Sequence, residues 1–261
     1  MKTRAILLAA GQGTRLRPHT DDRPKCLVEL LGRPLLDYQL ATLTAAGIDD
    51  ITIVTGYRAD RIEALGRPTA HNPQFERTNM VASLMCARDR LDGTADALIA
   101  YTDIVYERRV VEALLATAAP FATTVDLSWK TLWTARQEDP LRDAETLKFG
   151  KGGTIRELGK KPTSLADIEG QYMGLIKLSA AFAPAVVAAY DALDPAGPYD
   201  GKDRDNMYMT SFLQRLIDDG RPLLGVPIRG GWLEVDTVDD LALYHRLHAQ
   251  GELATLWDAR A

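Results

Sequence analysis

At 261 residues, with 46% apolar and 26% charged side chains, the chain has the composition of an ordinary globular protein able to bury one sizeable core. A formal charge of −5 argues against a general nucleic-acid binder, which presents a basic face, yet leaves room for a local basic pocket. Cys26 and Cys86 are too few for a disulfide framework and lack metal-ligand spacing, so both read as buried free thiols of a reducing compartment.

The N-terminal apolar run is short and is soon broken by Gly11 and Arg15, and no stretch approaches the ~18 apolar residues of a membrane span. The expectation is a cytoplasmic protein with neither a membrane nor a nucleic-acid partner. "RAILLAA" suits a strand buried on both faces. "PLLDYQLATLTAAG" has helical spacing at Leu36, Leu40 and Leu43, with Gly47 where a C-terminal cap belongs. "DITIVTGY" is β-branched and ends at a glycine turn, and "ADRIEALG" reads as a short helix. "TNMVASLMCARDRL" predicts a helix, "DALIAYTDIVY" a strand and "RRVVEALLATA" another helix. This strand–helix repetition implies a mainly parallel sheet covered on both faces, an α/β fold.

After about Pro120 the pattern changes. "ATTVDLSW" and "GQYMGLIKLS" read as strands, and "TLKFGKGGTIRELGKKP" as a hairpin turning at Lys151–Gly153. "AAFAPAVVAAYDAL" and "NMYMTSFLQRLIDDG" are helical, and "PLLGVPI" and "GGWLEVDT" are further strands. No linker splits the chain, so residues 1–261 read as a single domain with a mixed sheet. "SFLQRLI" would serve a core or a homodimer interface equally well. His19, His71, His245 and His248 have no metal spacing and suit surface or packing positions.

"LLAAGQGTRLRPHTDDRPK" is the stretch that carries chemistry. A dinucleotide fingerprint needs a third glycine, and a Walker A loop needs Gly-Lys-Ser/Thr; both are absent. What remains is a glycine turn after a buried strand, carrying Arg15 and Lys25. It is either a solvated turn with surface cations or a phosphate cradle, in which backbone N–H groups and the two cations meet phosphate oxygens.

The order "AAGQGTRLRP", then "RPKCLVELLGRPLLDYQL", resembles the signature of the nucleotidyltransferase superfamily that couples NTPs to sugar 1-phosphates and phospho-alcohols. That resemblance implies a Rossmann-like three-layer α/β/α fold with a mixed, mainly parallel sheet. Residues 1–120 would form mainly the nucleotide half and residues 121–261 mainly the acceptor half. It implies nucleotide contacts from Ala9, Ala10, Gly11, Gly13, Thr14, Arg15, Lys25 and Thr102. "YTDIVY" resembles the family's strand-end aspartate, which makes Asp103 a Mg2+ ligand. "WLEVDTVDDL" resembles the second metal motif, adding Asp236 with Glu234 beside it. Carboxylates without nitrogen or sulfur partners suit Mg2+, which keeps several waters and binds phosphates.

"NPQFERTNMVASL" is similar to the cytidylyltransferases acting on phosphocholine and on phosphonates such as 2-aminoethylphosphonate. There Thr78, Asn79 and Ser83 would hold the base and ribose; Asn79 or Thr78 equally suits a helix N-cap. "DLSWKTLW" also resembles that branch, with Trp129 or Trp133 under an ammonium headgroup and Asp126 as counter-charge, or with both tryptophans as packing residues. Glu169 and Tyr172 would line the acceptor pocket. Among Lys148, Lys160 and Lys161, Lys160 is the first choice to grip the acceptor phosphate. The resemblance thus implies a Mg2+-dependent transfer of CMP from CTP to a small phosphate or phosphonate monoester, with pyrophosphate released and Arg15, Lys25 and Lys160 as the catalytic cations. The alternatives are a sugar-1-phosphate nucleotidyltransferase using UTP, dTTP or GTP, and a catalytically silent nucleotide-binding regulatory protein.

Overall fold

The computed structural model describes residues 2–260. The chain runs through β1 (Thr3–Ala9), the short strands β2 (Glu29–Leu30) and β3 (Arg33–Pro34), α1 (Leu35–Ala45), β4 (Asp50–Thr55), α2 (Ala59–Glu63) and β5 (Thr69–His71). Next come α3 (Met80–Met85), β6 (Asp96–Tyr101), β7 (Ile104–Tyr106) and α4 (Arg108–Ala116). The second half begins with β8 (Phe121–Asp126), α5 (Trp129–Arg136), the hairpin β9 (Leu147–Phe149) and β10 (Ile155–Leu158), and β11 (Gln171–Leu178). It continues with α6 (Ala183–Asp191), α7 (Met209–Asp218), β12 (Leu224–Ile228), β13 (Trp232–Glu234) and α8 (Val238–Ala249).

Seven strands form one sheet in the order β12-β8-β11-β6-β1-β4-β5. Only β11 runs antiparallel to its two neighbours. The apolar run of β1 explains its central place. Ala5, Leu7 and Ala9 point into the core shared with α1, α4, α5 and α8, while Ile6 and Leu8 point into the core shared with α3, α6 and α7. Each fully buried Leu or Ile contributes on the order of 1.5–3 kcal/mol. The result is the expected three-layer α/β/α fold with a mixed, mainly parallel sheet. The apolar side of "SFLQRLI" is part of it, since Phe212, Leu213 and Leu216 are buried in the second core.

Several expected elements are shorter than their apolar pattern. "DALIAYTDIVY" breaks at Thr102–Asp103 into β6 and β7, because β7 leaves the main sheet to pair with β13. The helix after Asn79 stops at Met85 and resumes as a 3-10 turn at Arg88–Leu91. "ATTVDLSW" ends as a strand at Asp126 and turns helical at Trp129. No helix among the described residues is long and apolar enough to cross a membrane.

The topology fixes where a ligand can sit. From β1 the chain steps outward to β4 and β5, then returns to the other side of β1 as β6. At such a reversal the carboxyl ends of neighbouring parallel strands diverge and leave a crevice. Gly11–Lys25 follows β1 and Asp103 follows β6, so both open onto that crevice.

Candidate active site

After β1 the chain turns through Gly13, whose φ of +62° is left-handed. A Cβ there would lie 2.8 Å from the Lys25 Cβ, so this glycine permits both the turn and the approach of Lys25. The loop is held from below: Leu16 is fully buried, and the Thr20 hydroxyl donates to the Gly13 carbonyl at 2.9 Å. The Tyr57 hydroxyl donates to the carbonyls of Thr20 and Asp21. Gly13→Ala is therefore expected to destabilise by about 1–3 kcal/mol and to lower turnover by displacing Lys25. Gly11→Ala should leave stability nearly unchanged, because nothing lies within 4 Å of a Cβ at that position. Thermal melts of the two variants side by side check the contrast.

Lys25 is the centre of a charge cluster. Its Nζ donates to Asp103 Oδ2 at 2.9 Å and to Asp236 Oδ1 at 2.6 Å. Arg15, on the exposed face of the loop, places Nη1 2.6 Å from Asp236 Oδ2. Burial works against the Lys25 ammonium, but the charges of Asp103 and Asp236 outweigh it and hold its pKa above the usual lysine value. The two acids meet because β13 pairs with β7 and the Val235 N–H donates to the Asp103 carbonyl at 2.8 Å. Asp103 Oδ1 is buried and has no hydrogen-bond partner. An orphaned carboxylate oxygen beside a second carboxylate, with only oxygen donors, fits a hard divalent cation that takes its other ligands from water and phosphate.

Asp236 is fixed from behind by Thr237, Asp240 and Arg136. α8 opens with a capping box, in which Thr237 Oγ1 accepts from the Asp240 N–H and Asp240 Oδ2 accepts from the Thr237 N–H. The same Asp240 oxygen accepts from the Asp236 N–H at 2.9 Å. Arg136, with a side chain only 1% exposed, grips Asp240 in two places, Nε to Oδ1 at 2.8 Å and Nη2 to Oδ2 at 3.1 Å. Its Nη1 donates to Glu234 Oε2. Glu234 therefore faces Arg136 rather than joining Asp103 and Asp236, because β13 ends at Glu234 and its alternation does not reach Asp236.

Two adjoining cavities flank the cluster, with Asn79, Met80 and Tyr101 in the wall of both. One is lined by Ala9, Ala10, Gly11, Gly13, Lys25 and Asp103, and on its far side by Thr78, Asn79, Ser83 and Thr102. Of the residues expected around a nucleotide only Thr14 and Arg15 lie outside its lining, and Arg15 borders the second cavity. Asn79 caps α3 as well, its Oδ1 accepting from the Met80 N–H at 2.8 Å. Buried Asn72, which the sequence did not single out, donates from Nδ2 to Thr78 Oγ1 and Ser83 Oγ, both at 3.0 Å.

The second cavity holds Trp133, Tyr172, Glu234 and Asp236. Its wall is shaped by a bulge in β11 at Gly174, where a Cβ would lie 2.6 Å from the Tyr101 ring. Three expected acceptor residues are placed elsewhere. Asp126 is 1% exposed, and its carboxylate accepts from the N–H groups of Ser128 and Gly230 and from Trp232 Nε1, so it ties the end of β8 to the approach of β13. Trp129 is buried against Trp133 as a packing residue. Glu169 is exposed and accepts from the Phe149 N–H on the hairpin. Lys148 is paired with Glu157 and Asp167, and Lys161 donates to the carbonyls of Leu141 and Arg142. Lys160 is exposed and lines neither cavity. The four histidines are exposed, and of the two cysteines expected to be buried Cys26 is and Cys86 is not, because Cys86 sits at the exposed end of α3.

Residues 5–147 match the MobA-like NTP transferase domain. The chain is 43% identical over 246 residues to the CTP:phosphoglutamine cytidylyltransferase of Campylobacter jejuni, a match spanning 91% of this chain and 97% of that protein. It is 39% identical over 92 residues to the choline-phosphate cytidylyltransferase of Streptococcus pneumoniae, covering 34% of this chain and 40% of that one. The solved structure of CTP:phosphocholine cytidylyltransferase from Streptococcus pneumoniae is similar in fold, with a TM-score of 0.69 at 20% identity over 96% of this chain and 99% of that one.

Proposed function

We propose, since the chain belongs to the MobA-like NTP transferase family and is a nucleotidyltransferase, that it transfers CMP from CTP to a small phosphorylated amino acid of the phosphoglutamine kind, releasing pyrophosphate. The lean to this acceptor, rather than to phosphocholine or 2-aminoethylphosphonate, comes from the 43% identical relative, nearly all of which the match spans.

One observation carries the reading. The Arg15–Lys25–Asp103–Asp236 cluster lies across the boundary of two cavities, with Lys25 and Asp103 in the wall of one and Arg15 and Asp236 in the wall of the other. A nucleotide in the first and an acceptor in the second would bring their reacting atoms together at the cluster. An acceptor phosphate oxygen then forms a bond to the α-phosphorus while the α–β bridging oxygen leaves with pyrophosphate. That oxygen is already anionic, so no side chain has to be deprotonated, and catalysis rests on alignment and on neutralising charge.

In this mechanism Lys25 exchanges its carboxylate partners for the α-phosphate, and Arg15 turns to the β- and γ-phosphates. Asp103 and Asp236 would hold Mg2+, which when bound neutralises phosphate charge. Glu234 keeps its place against Arg136. Lys160, the one of the three candidate lysines with no side-chain hydrogen bond or ion pair among the described residues, lies outside the lining of the second cavity and would have to swing into it to grip the acceptor phosphate. The test is pyrophosphate release in Mg2+ with each of CTP, UTP, dTTP and GTP against phosphoglutamine, phosphocholine, 2-aminoethylphosphonate and hexose 1-phosphates. Release with CTP and phosphoglutamine is expected. Release only with a hexose 1-phosphate would move the chain to the sugar branch, and CTP binding without any release would make it a silent nucleotide binder.

A further inference from the structure

The acceptor-side cavity has one wall whose charge the transfer mechanism does not use. Asp143 and Glu145, on the connection between α5 and β9, line it together with Trp133, Gln171 and Tyr172. The other acids there have their cations: Arg136 for Glu234, and Lys25 with Arg15 for Asp236. No Lys, Arg or His nitrogen lies within 4.0 Å of the Asp143 or Glu145 carboxylates among the described residues.

This wall is built rather than loose. Gln171, 3% exposed, fixes the backbone of Glu145 on both sides: its Nε2 donates to the Glu145 carbonyl at 2.6 Å, and its Oε1 accepts from the Glu145 N–H at 3.3 Å. Burial, reinforced by the Asp143 charge, pushes Glu145 up to about 7. Two further polar groups of the same cavity are buried and make no hydrogen bond within 3.5 Å, Trp133 Nε1 and the Tyr172 hydroxyl, the latter beside Tyr101; Trp133 as a whole is only 4% exposed. A half-buried carboxylate without a counter-charge is unfavourable, and so is a buried N–H or O–H without an acceptor. One molecule carrying both an ammonium and an anionic oxygen would relieve both.

We infer that Glu145, with Asp143 beside it, seats the ammonium group of the acceptor, and that Trp133 Nε1 and the Tyr172 hydroxyl donate to an anionic oxygen of the same molecule. The inference rests on the cytidylyl-transfer reading and makes Glu145 a specificity residue: it selects phosphorylated amines and amino acids over hexose phosphates, which carry no cation.

The experiment compares the intact protein with its Glu145→Gln variant, using CTP with phosphoglutamine and with the analogue in which hydrogen replaces the α-amine. Wild type is expected to show a KM at least about 30-fold higher for the analogue. Glu145→Gln should raise the KM for phosphoglutamine by a similar factor, leave that for the analogue within about threefold, and change neither kcat nor the KM for CTP by more than about threefold. The substitution is isosteric, and an unchanged melting temperature confirms the fold. A variant that still discriminates between the two acceptors, or that loses both equally, overturns the role of Glu145. The cytidylyl-transfer reading fails separately, by the absence of pyrophosphate release from wild type with any amine-bearing acceptor. In that event the melting shift produced by each ligand still decides the subsite: equal shifts of wild type by phosphoglutamine and its analogue overturn it.

Discussion

Replacing Lys25 by alanine is expected to lower kcat by about 10²–10³-fold while moving the KM for CTP by less than about tenfold. The reason lies in what Lys25 touches. Its ammonium is within 2.9 Å of Asp103 and 2.6 Å of Asp236, with only 13% of the side chain exposed, so it is already desolvated and placed before any substrate arrives. Such a group stabilises developing charge without reorganising at the moment of reaction, which is where a buried cation exceeds a solvated one.

The same variant has a second, independent signature. Without the ammonium, Asp103 and Asp236 face each other across a buried gap, and Arg15, with a side chain 65% exposed, is the remaining cation of the cluster. The ligand-free melting temperature should fall, and Mg2+ should raise it by more than it raises wild type, because the cation now enters a site no longer occupied by a lysine. Near-normal kcat would remove Lys25 from the mechanism. A melting temperature indifferent to Mg2+ would remove Asp103 and Asp236 as its ligands.

What the sequence disclosed and what it hid divide along sequence distance. Features written in consecutive residues were legible. The alternation of β1 between two cores, Gly47 in left-handed conformation after α1 and the hairpin of β9 and β10 each follow from a local pattern. So does the turn that carries Arg15 and Lys25, where a glycine at positive φ is a local necessity. Features made by distant residues were not legible. Asp126 looked like a free acid beside two tryptophans, and only Gly230 and Trp232, about a hundred positions on, make it a structural tie. Glu145 sits in "QEDPLRDAET", a string with the composition of any solvated loop; its backbone is clamped by Gln171, 26 residues away. Arg136 lies three residues beyond "DLSWKTLW", outside every expected element, and its partners lie 98 and 104 positions later. The Asp236 position is the exception: Thr237-x-x-Asp240 is a capping box, a local pattern that sets Asp236 at a helix entrance rather than on the expected strand.

Arg136 yields the largest expected loss of stability. Arg136→Leu should destabilise by about 3–5 kcal/mol, because it strands buried Asp240 as an uncompensated acid and takes the cation from half-buried Glu234. For a chain of this size that corresponds to a melting temperature lower by roughly 6–20 °C. The charge balance around it indicates the direction: burial opposes the Arg136 cation, yet Glu234 and Asp240 hold its pKa above the ordinary arginine value, and Arg136 in turn keeps Asp240 below the usual carboxylate range despite burial. If the loss is the cost of stranded charge, neutralising the partners must recover part of it. Arg136→Leu combined with Asp240→Asn and Glu234→Gln should melt above the single variant, which additive contacts would not allow. Arg136→Lys keeps the charge and loses the two-point grip on Asp240, so its melting temperature should lie between wild type and leucine. Its kcat should fall with little change in the KM for CTP, because the Asp240 oxygen that anchors the Asp236 N–H is no longer held. A leucine variant melting within about 2 °C of wild type would mean that the two carboxylates find water instead, and that Asp236 keeps its position through the Thr237 cap alone.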